Sequence, residues 1–357
     1  MIYMNHDFFD YFDVLFSKKL SIVNGVDYPL GYFAAEALEI SGEVIRELRE
    51  LTRRANDEFE IFLSARTASS GALARQELIR AWGAMRQLPL YNKFTPEKIS
   101  GISELVGTLR ANPEKADEML TLGTQEYEML QQWKDKLCRL ADDLWTFRRN
   151  TEQMLKDYFE KLPSRRPEAY AGAFANYHHD FQEMYHAAED DEDIKELNRF
   201  QFDFPVRISF VAEKDPKTGL PFLAEQMTFE DLVSFLYMDL HRGMAAGNIP
   251  RVCHNCKKWF LAIGGYDTVY CHRISPGETN RTCRQVGAHR KEKEKNGSEL
   301  GYIEYDKVYN RLKSRKRRGT ITVEQWNQQV AYAQDLKEAF LRGEIDDAEY
   351  KMKLNRI

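Results

Sequence analysis

The residues with the most chemistry in this sequence are four cysteines set within 31 positions, Cys253, Cys256, Cys271 and Cys283. A Cys-x2-Cys turn lets two thiolates reach one Zn²⁺ at about 2.3 Å. The fourteen residues that follow suit a short hairpin returning a third ligand, and Thr282-Cys283-Arg284 supplies a fourth. Because Arg281 to Lys295 reads as a helix, Cys283 sits on its first turn, where free backbone amides favour a thiolate. The spacing therefore predicts a structural four-cysteine zinc site in a treble-clef or zinc-ribbon-like unit, with Trp259, Phe260 and Tyr270 as a small core. A redox Cys-x2-Cys would open a helix in a βαβ unit, and no such unit is visible. His254 and His272 each adjoin a cysteine and would compete geometrically with it as ligands. Catalytic zinc would want an open position and a general base such as the Glu of His-x-Glu, and neither lies near these cysteines.

Charge surrounds the cluster unevenly. Residues 251–319 carry 17 Lys/Arg against 7 Asp/Glu, whereas residues 1–250 carry 29 against 42, inside a chain whose net charge is −5. Arg284, Arg290, Lys291, Lys293, Arg315, Lys316, Arg317 and Arg318 are the candidate phosphate contacts of this basic block. Such a block suits nucleic acid, or the acidic body of the same protein or of a partner. Arg284 and His289 also match an Arg-x4-His pattern found in some RNases, a coincidence on a helix begun by a zinc ligand.

The segments Arg251-Val252-Cys253-His254-Asn255-Cys256-Lys257-Lys258-Trp259-Phe260, Tyr270-Cys271-His272-Arg273 and Thr282-Cys283-Arg284-Gln285-Val286-Gly287 resemble the C-terminal signature of an uncharacterised bacterial domain-of-unknown-function family common in Firmicutes. More distantly they are similar to the CGNR-type zinc finger of transcriptional regulators, where a helix leads into a first cysteine pair and a Cys-Gly-Asn-Arg element closes the site. Here the closing element is Cys283-Arg284-Gln285-Val286-Gly287, after a longer gap. The resemblance covers roughly residues 229–300; it implies zinc and DNA and no known activity.

The elements that must position these residues read as mainly helical. From about Ala34, apolar residues recur at three- and four-residue steps. The clearest run is a heptad-patterned seam within Lys115 to Leu162: Leu130, Trp133, Leu137, Leu140, Leu144, Phe147, Thr151, Met154 and Tyr158. This predicts one long helix packed along its length, in an intramolecular hairpin or a coiled-coil dimer. Cys138, far in sequence from the other cysteines, reads as a small packing residue. Pro163 and Pro167 stop the helix. On the next helix His179, Glu183 and His186 share a face as potential metal ligands, but no His-Glu-x-x-His spacing supports a metal and the stretch reads as a solvated polar face opposite Tyr177, Phe181 and Tyr185. Val206, Ile208 and Phe210 alternate with polar neighbours before a turn and Pro221 to Met227, a β-hairpin. Thr228 with Asp231 opens a helix that runs to Gly243 and Gly247 and delivers the chain to Cys253. Finally, Arg318 to Trp326 and Arg342 to Tyr350 repeat with a period of 24, each a glycine stop followed by a cap, predicting C-terminal helical hairpins.

The expected organisation is a helical domain over 1–200, a hairpin-and-helix connector over 201–250, a zinc unit over 251–300 and a helical tail over 301–357. Met1 to Asp7 carry neither a basic n-region nor an apolar run, so a cytoplasmic protein without membrane contact is expected. The expected function is nucleic-acid binding, DNA-directed and regulatory; the rival is a protein-interaction or assembly module, a homodimer among its forms. An enzyme is not expected, because no nucleophile, base and oxyanion arrangement or phosphate loop can be assembled from these residues.

Overall fold

The computed structural model describes residues 11–65, 67–94, 111–112, 118, 121–187, 204, 206–214, 218–264, 268–287 and 300–357. Helices dominate it, so the chain is mainly α, with two small antiparallel sheets. It divides into a larger unit, residues 1–253 with 257–269, and a smaller one, 254–256 with 270–357.

The larger unit begins with strands that the helical periodicity gave no hint of: β1 (Phe12–Phe16), β2 (Leu20–Val23) and β3 (Val26–Pro29). Phe12, Val14 and Phe16 alternate inward on β1, the period-two pattern of a half-buried strand. Asn24 and Gly25, both at positive φ, form the two-residue turn between β2 and β3. Helices α1 (Tyr32–Leu38), α2 (Gly42–Ala65) and α3 (Ala68–Met85) follow. The long helix α4 spans Gln125–Met154 and runs on through a π turn, Leu155–Phe159. Every heptad position from Leu130 to Met154 is buried, and the seam packs on α2 and other helices of the same chain, which is the intramolecular arrangement. Cys138 lies off that seam and is exposed, so it fills no gap in the core. The Arg165 guanidinium caps the end of this helix through the carbonyls of Phe159 and Glu160, just before α5 (Pro167–Ala187) starts on its proline.

The hairpin expected as part of a connector is β4 (Arg207–Lys214) and β5 (Pro221–Phe229). Its partner is not local, because β5 pairs with β1, giving a five-stranded sheet in the order β3-β2-β1-β5-β4. Thr228 and Gln226 both donate to the Asp13 carboxylate across that junction, at 2.6 and 2.9 Å. Consequently β4, β5 and the helix that follows belong to the same unit as the preceding helices, and Met227, Phe229, Leu232, Phe235 and Leu236 to the same core. Ile208 and Phe210, the apolar positions of the alternation on β4, are both exposed, β4 being the outer strand among the described residues. Helix α6 (Leu232–Ala245) is capped by Asp231, which accepts from the Ser234 amide and hydroxyl; Thr228 is still in strand, so the helix opens three residues later than Thr228 would suggest.

Helix α6 fixes what comes before the cysteines. Buried Asp239 accepts from the amides of Gly31 and Ala34 at 2.9 and 3.0 Å, tying α6 to the start of α1. Gly243 meets Gly31 backbone to backbone, an approach that leaves no room for a Cβ at Gly243. Strands β6 (Ile249–Val252) and β7 (Trp259–Ala262) form the second sheet, with Trp259 buried in the main core and its amide bonded to the Glu39 carboxylate.

In the smaller unit, α7 (Leu300–Arg317), α8 (Val323–Leu341) and α9 (Asp347–Asn355) surround their own core of Val308, Leu312, Ile321, Ala333, Leu336, Tyr350 and Leu354. The repeat is visible in the backbone: Gly319 and Gly343 take left-handed φ of 72° and 74° and each begins a turn into Thr322 or Asp346, the caps of α8 and α9.

Candidate metal centre

The first cysteine pair is made by a hairpin tip. Val252 opposite Trp259 closes the ladder of β6 and β7, and the Cys253 amide donates to the Lys258 carbonyl at 2.8 Å, so Cys253 to Lys258 form a tight loop. The Lys257 amide donates back to the Cys253 carbonyl at 2.9 Å, and Lys257 itself sits at φ 60°, a left-handed position usually given to glycine. This loop turns both thiols inward. The second pair comes from an antiparallel bracket in which the Cys283 amide donates to the Arg273 carbonyl and the Arg284 amide to the Cys271 carbonyl, at 2.8 and 3.1 Å. Thr282 and Gln285 then exchange side-chain and backbone hydrogen bonds as a capping box, and residues 283–287 are helical, so Cys283 occupies a first helical turn as its neighbours predicted.

The four sulfur atoms all lie within 4.8 Å of one another, and Cys256 and Cys271 are 3.7 Å apart. Four thiolates placed tetrahedrally about one ion at 2.3 Å would stand about 3.8 Å apart, so the spacing fits a single metal ion with no open position. Cys253, Cys271 and Cys283 are buried and Cys256 is half-buried. Sequence reasoning missed Asn255, whose Nδ2 donates to Cys283 Sγ at 3.4 Å and to Ser275 Oγ at 2.8 Å. A donor aimed at a sulfur stabilises the thiolate form and fixes the ligand's direction. Its place between the two cysteines of a Cys-x2-Cys was the available signal.

The remaining expected residues are distributed differently. Trp259 and Phe260 belong to the large core and not to a separate core beside the cysteines; Tyr270 packs instead against Gly287, where a Cβ would lie 2.3 Å from its ring, and edge-on to His254. His254 and His272 are exposed, and among the described residues the only cluster with metal-binding geometry is the four cysteines. His179 and Glu183 form an exposed pair at 3.3 Å, while the side chain of His186 lies outside the described residues.

Of the basic residues, Arg284 is exposed on the first turn after Cys283, and Arg290, Lys291 and Lys293 lie outside the described residues. At the end of α7 the structure separates two kinds of cation. Arg315 donates to the Ile357 carbonyl at 2.9 Å, Arg311 to that of Leu354 at 3.1 Å, and Lys316 covers the Trp326 ring at 3.9 Å. Arg317 and Arg318 face solvent.

Residues 201–356 match the model of a family of unknown function, DUF6076. No curated protein and no solved structure matches the chain. The matched stretch holds all four cysteines and the whole basic block, together with two strands of the five-stranded sheet. Among the described residues no helix is long and apolar enough to cross a membrane.

Proposed function

We propose that Cys253, Cys256, Cys271 and Cys283 hold one structural zinc ion, in a treble-clef-like arrangement of hairpin tip and helix start, and that the protein binds nucleic acid beside it. The observation carrying this reading is the coincidence of a closed four-sulfur site with a block of 17 Lys/Arg against 7 Asp/Glu. Four thiolates satisfy zinc completely, so the metal would supply folding energy and no catalysis. The exposed Arg284, Arg317 and Arg318 would then meet phosphates, positioning the protein without reading sequence. The reading sets the protein in a reducing, cytoplasmic compartment and a DNA-directed regulatory role.

The rival, an assembly module, has an observation of its own: Arg311, Arg315 and Lys316 are engaged within the smaller unit, so part of the basic block is structural. The two readings separate by fluorescence anisotropy with labelled duplex and single-stranded oligonucleotides at low salt. Replacing Arg284, Arg317 and Arg318 with Ser should lower affinity and reduce the slope of log K against log salt by about two to three. The melting temperature should stay unchanged. Wild-type protein that binds neither DNA nor RNA at low ionic strength would overturn the nucleic-acid reading and leave the assembly module. Elemental analysis should return about one zinc per chain, lost in Cys253→Ser.

A further inference from the structure

Strand β4 is the outer strand of the five-stranded sheet, with β5 on one side and no strand on the other among the described residues. None of its eight residues is buried; Phe210 is 72% exposed and Ile208 52%, and Leu223 beside them on β5 is 78% exposed. An outer strand presents unpaired amides and carbonyls, and proteins that keep such an edge single break it with proline, a bulge, a charge pointing inward or charged side chains along it; on β4 the charges, Arg207, Glu213 and Lys214, stand only at the two ends. Arg207-Ile208-Ser209-Phe210-Val211-Ala212-Glu213-Lys214 has no proline and pairs with β5 at every residue without a bulge.

We propose that β4 is the interface of a homodimer, in which β4 of a second copy adds antiparallel and joins two sheets into one. Charge selects both the partner and the register. A two-fold axis through Phe210 sets Arg207 of each copy opposite Glu213 of the other, Ile208 opposite Ala212, and Phe210 opposite Phe210. Moving the axis to Val211, the next position that keeps every side chain on its own face, sets Glu213 against Ser209 and Lys214 against Ile208 and leaves Arg207 beyond the last residue of the strand. Moving it the other way, to Ser209, sets Arg207 against Val211 and leaves Glu213 and Lys214 beyond the first residue of the strand. Because side chains alternate between faces, the two Arg–Glu pairs occupy one face and the aromatic pair with Ile208 the other. Cross-strand pairs of both kinds stabilise antiparallel sheets, and an interface of this form is the same patch on both copies, so it closes at two.

The test is sedimentation velocity of the full-length chain over a dilution series. Wild type should run at twice the chain mass. Arg207→Glu sets carboxylate against carboxylate and should halve that mass, as should Phe210→Lys; Arg207→Glu with Glu213→Arg exchanges the charges and should restore the dimer. All three positions lie on an exposed strand, so circular dichroism should match wild type in each variant. A wild-type chain that stays monomeric at every concentration overturns the proposal. So does a dimer whose mass ignores Arg207→Glu and Phe210→Lys, or a charge exchange that fails to restore it.

Discussion

Asn255 shows how much of the candidate centre rests on one amide. With its Nδ2 on Cys283 Sγ and Ser275 Oγ, it joins the hairpin tip to the bracket that carries the last ligand. Asn255→Leu should weaken metal binding by about 10- to 100-fold in competition with a chromophoric chelator, the usual effect of losing a group that orients a ligand; equal affinity would show that the sulfurs are held without it. The four cysteines were legible because their spacing is a local property of the chain. Asp239 was not, since its acceptor role depends on Gly31 and Ala34, some 200 positions earlier. Burial pushes its carboxyl up to about 7 from an ordinary 3.8, against the pull of the amides it accepts from. Burial also drives His241 down to about 4 from 6.5. The signs oppose each other. Between pH 3.8 and 7 the folded protein keeps a proton on Asp239 that the unfolded chain has released, so stability falls as pH rises. Between pH 4 and 6.5 the unfolded chain binds a proton that folded His241 refuses, so stability rises with pH. Across the shared window the two slopes, each about 1.4 kcal/mol per pH unit, should cancel. His241→Phe should expose the falling Asp239 slope in urea midpoints measured from pH 4.5 to 6.5; a flat profile in that variant would refute the assignment.

At the scale of elements, the seam of α4 was readable because a three-and-four spacing needs no knowledge of the partner. Its burial makes Leu137→Asn a few kcal/mol destabilising, by leaving an unsatisfied amide in the core, visible as a lowered denaturant midpoint. Strands β1 to β3 escaped the reading because they are four or five residues long and the partner that gives β1 its meaning is β5. The hairpin β4–β5 was legible as a hairpin, whereas the exposure of Ile208 and Phe210 was not, since alternation reports two faces and is silent about which strand lies outermost. Two backbone positions carry the junctions. Gly243→Ala would place a Cβ 2.9 Å from the Gly31 Cα and should cost about 1–3 kcal/mol, read as a drop in melting temperature. Lys257→Gly should do the reverse, raising stability of the metal-loaded protein by about 0.5–1 kcal/mol as left-handed strain is relieved against the added freedom of the unfolded chain. A fall in melting temperature for Lys257→Gly would mean that its side chain contributes more than its backbone strain removes.

For the whole molecule, the matched family segment and the folded unit do not coincide. Residues 201–356 include β4 and β5 but not β1, against which β5 pairs from Phe229 to Glu225, nor Phe12 and Phe16, whose rings pack on Phe229 and Phe235. A fragment 201–357 should therefore expose a second sheet edge and aggregate, whereas 300–357, which contains the entire core of α7, α8 and α9, should retain helical circular dichroism with a cooperative melt. A soluble, cooperatively folding 201–357 fragment would contradict the first expectation, and a non-cooperative 300–357 the second. The distance in sequence between β1 and β5 has a further consequence, for synthesis. Asp13 and Thr228 are 215 residues apart, so at about 5–20 residues per second β1 leaves the ribosome roughly 10–40 s before β5 exists. Throughout that interval β1 has only β2 and β3 beside it, and Phe12 and Phe16 lack the Phe229 and Phe235 rings they pack on, so the apolar face of this small sheet stays uncovered during synthesis and should be a site for holding chaperones.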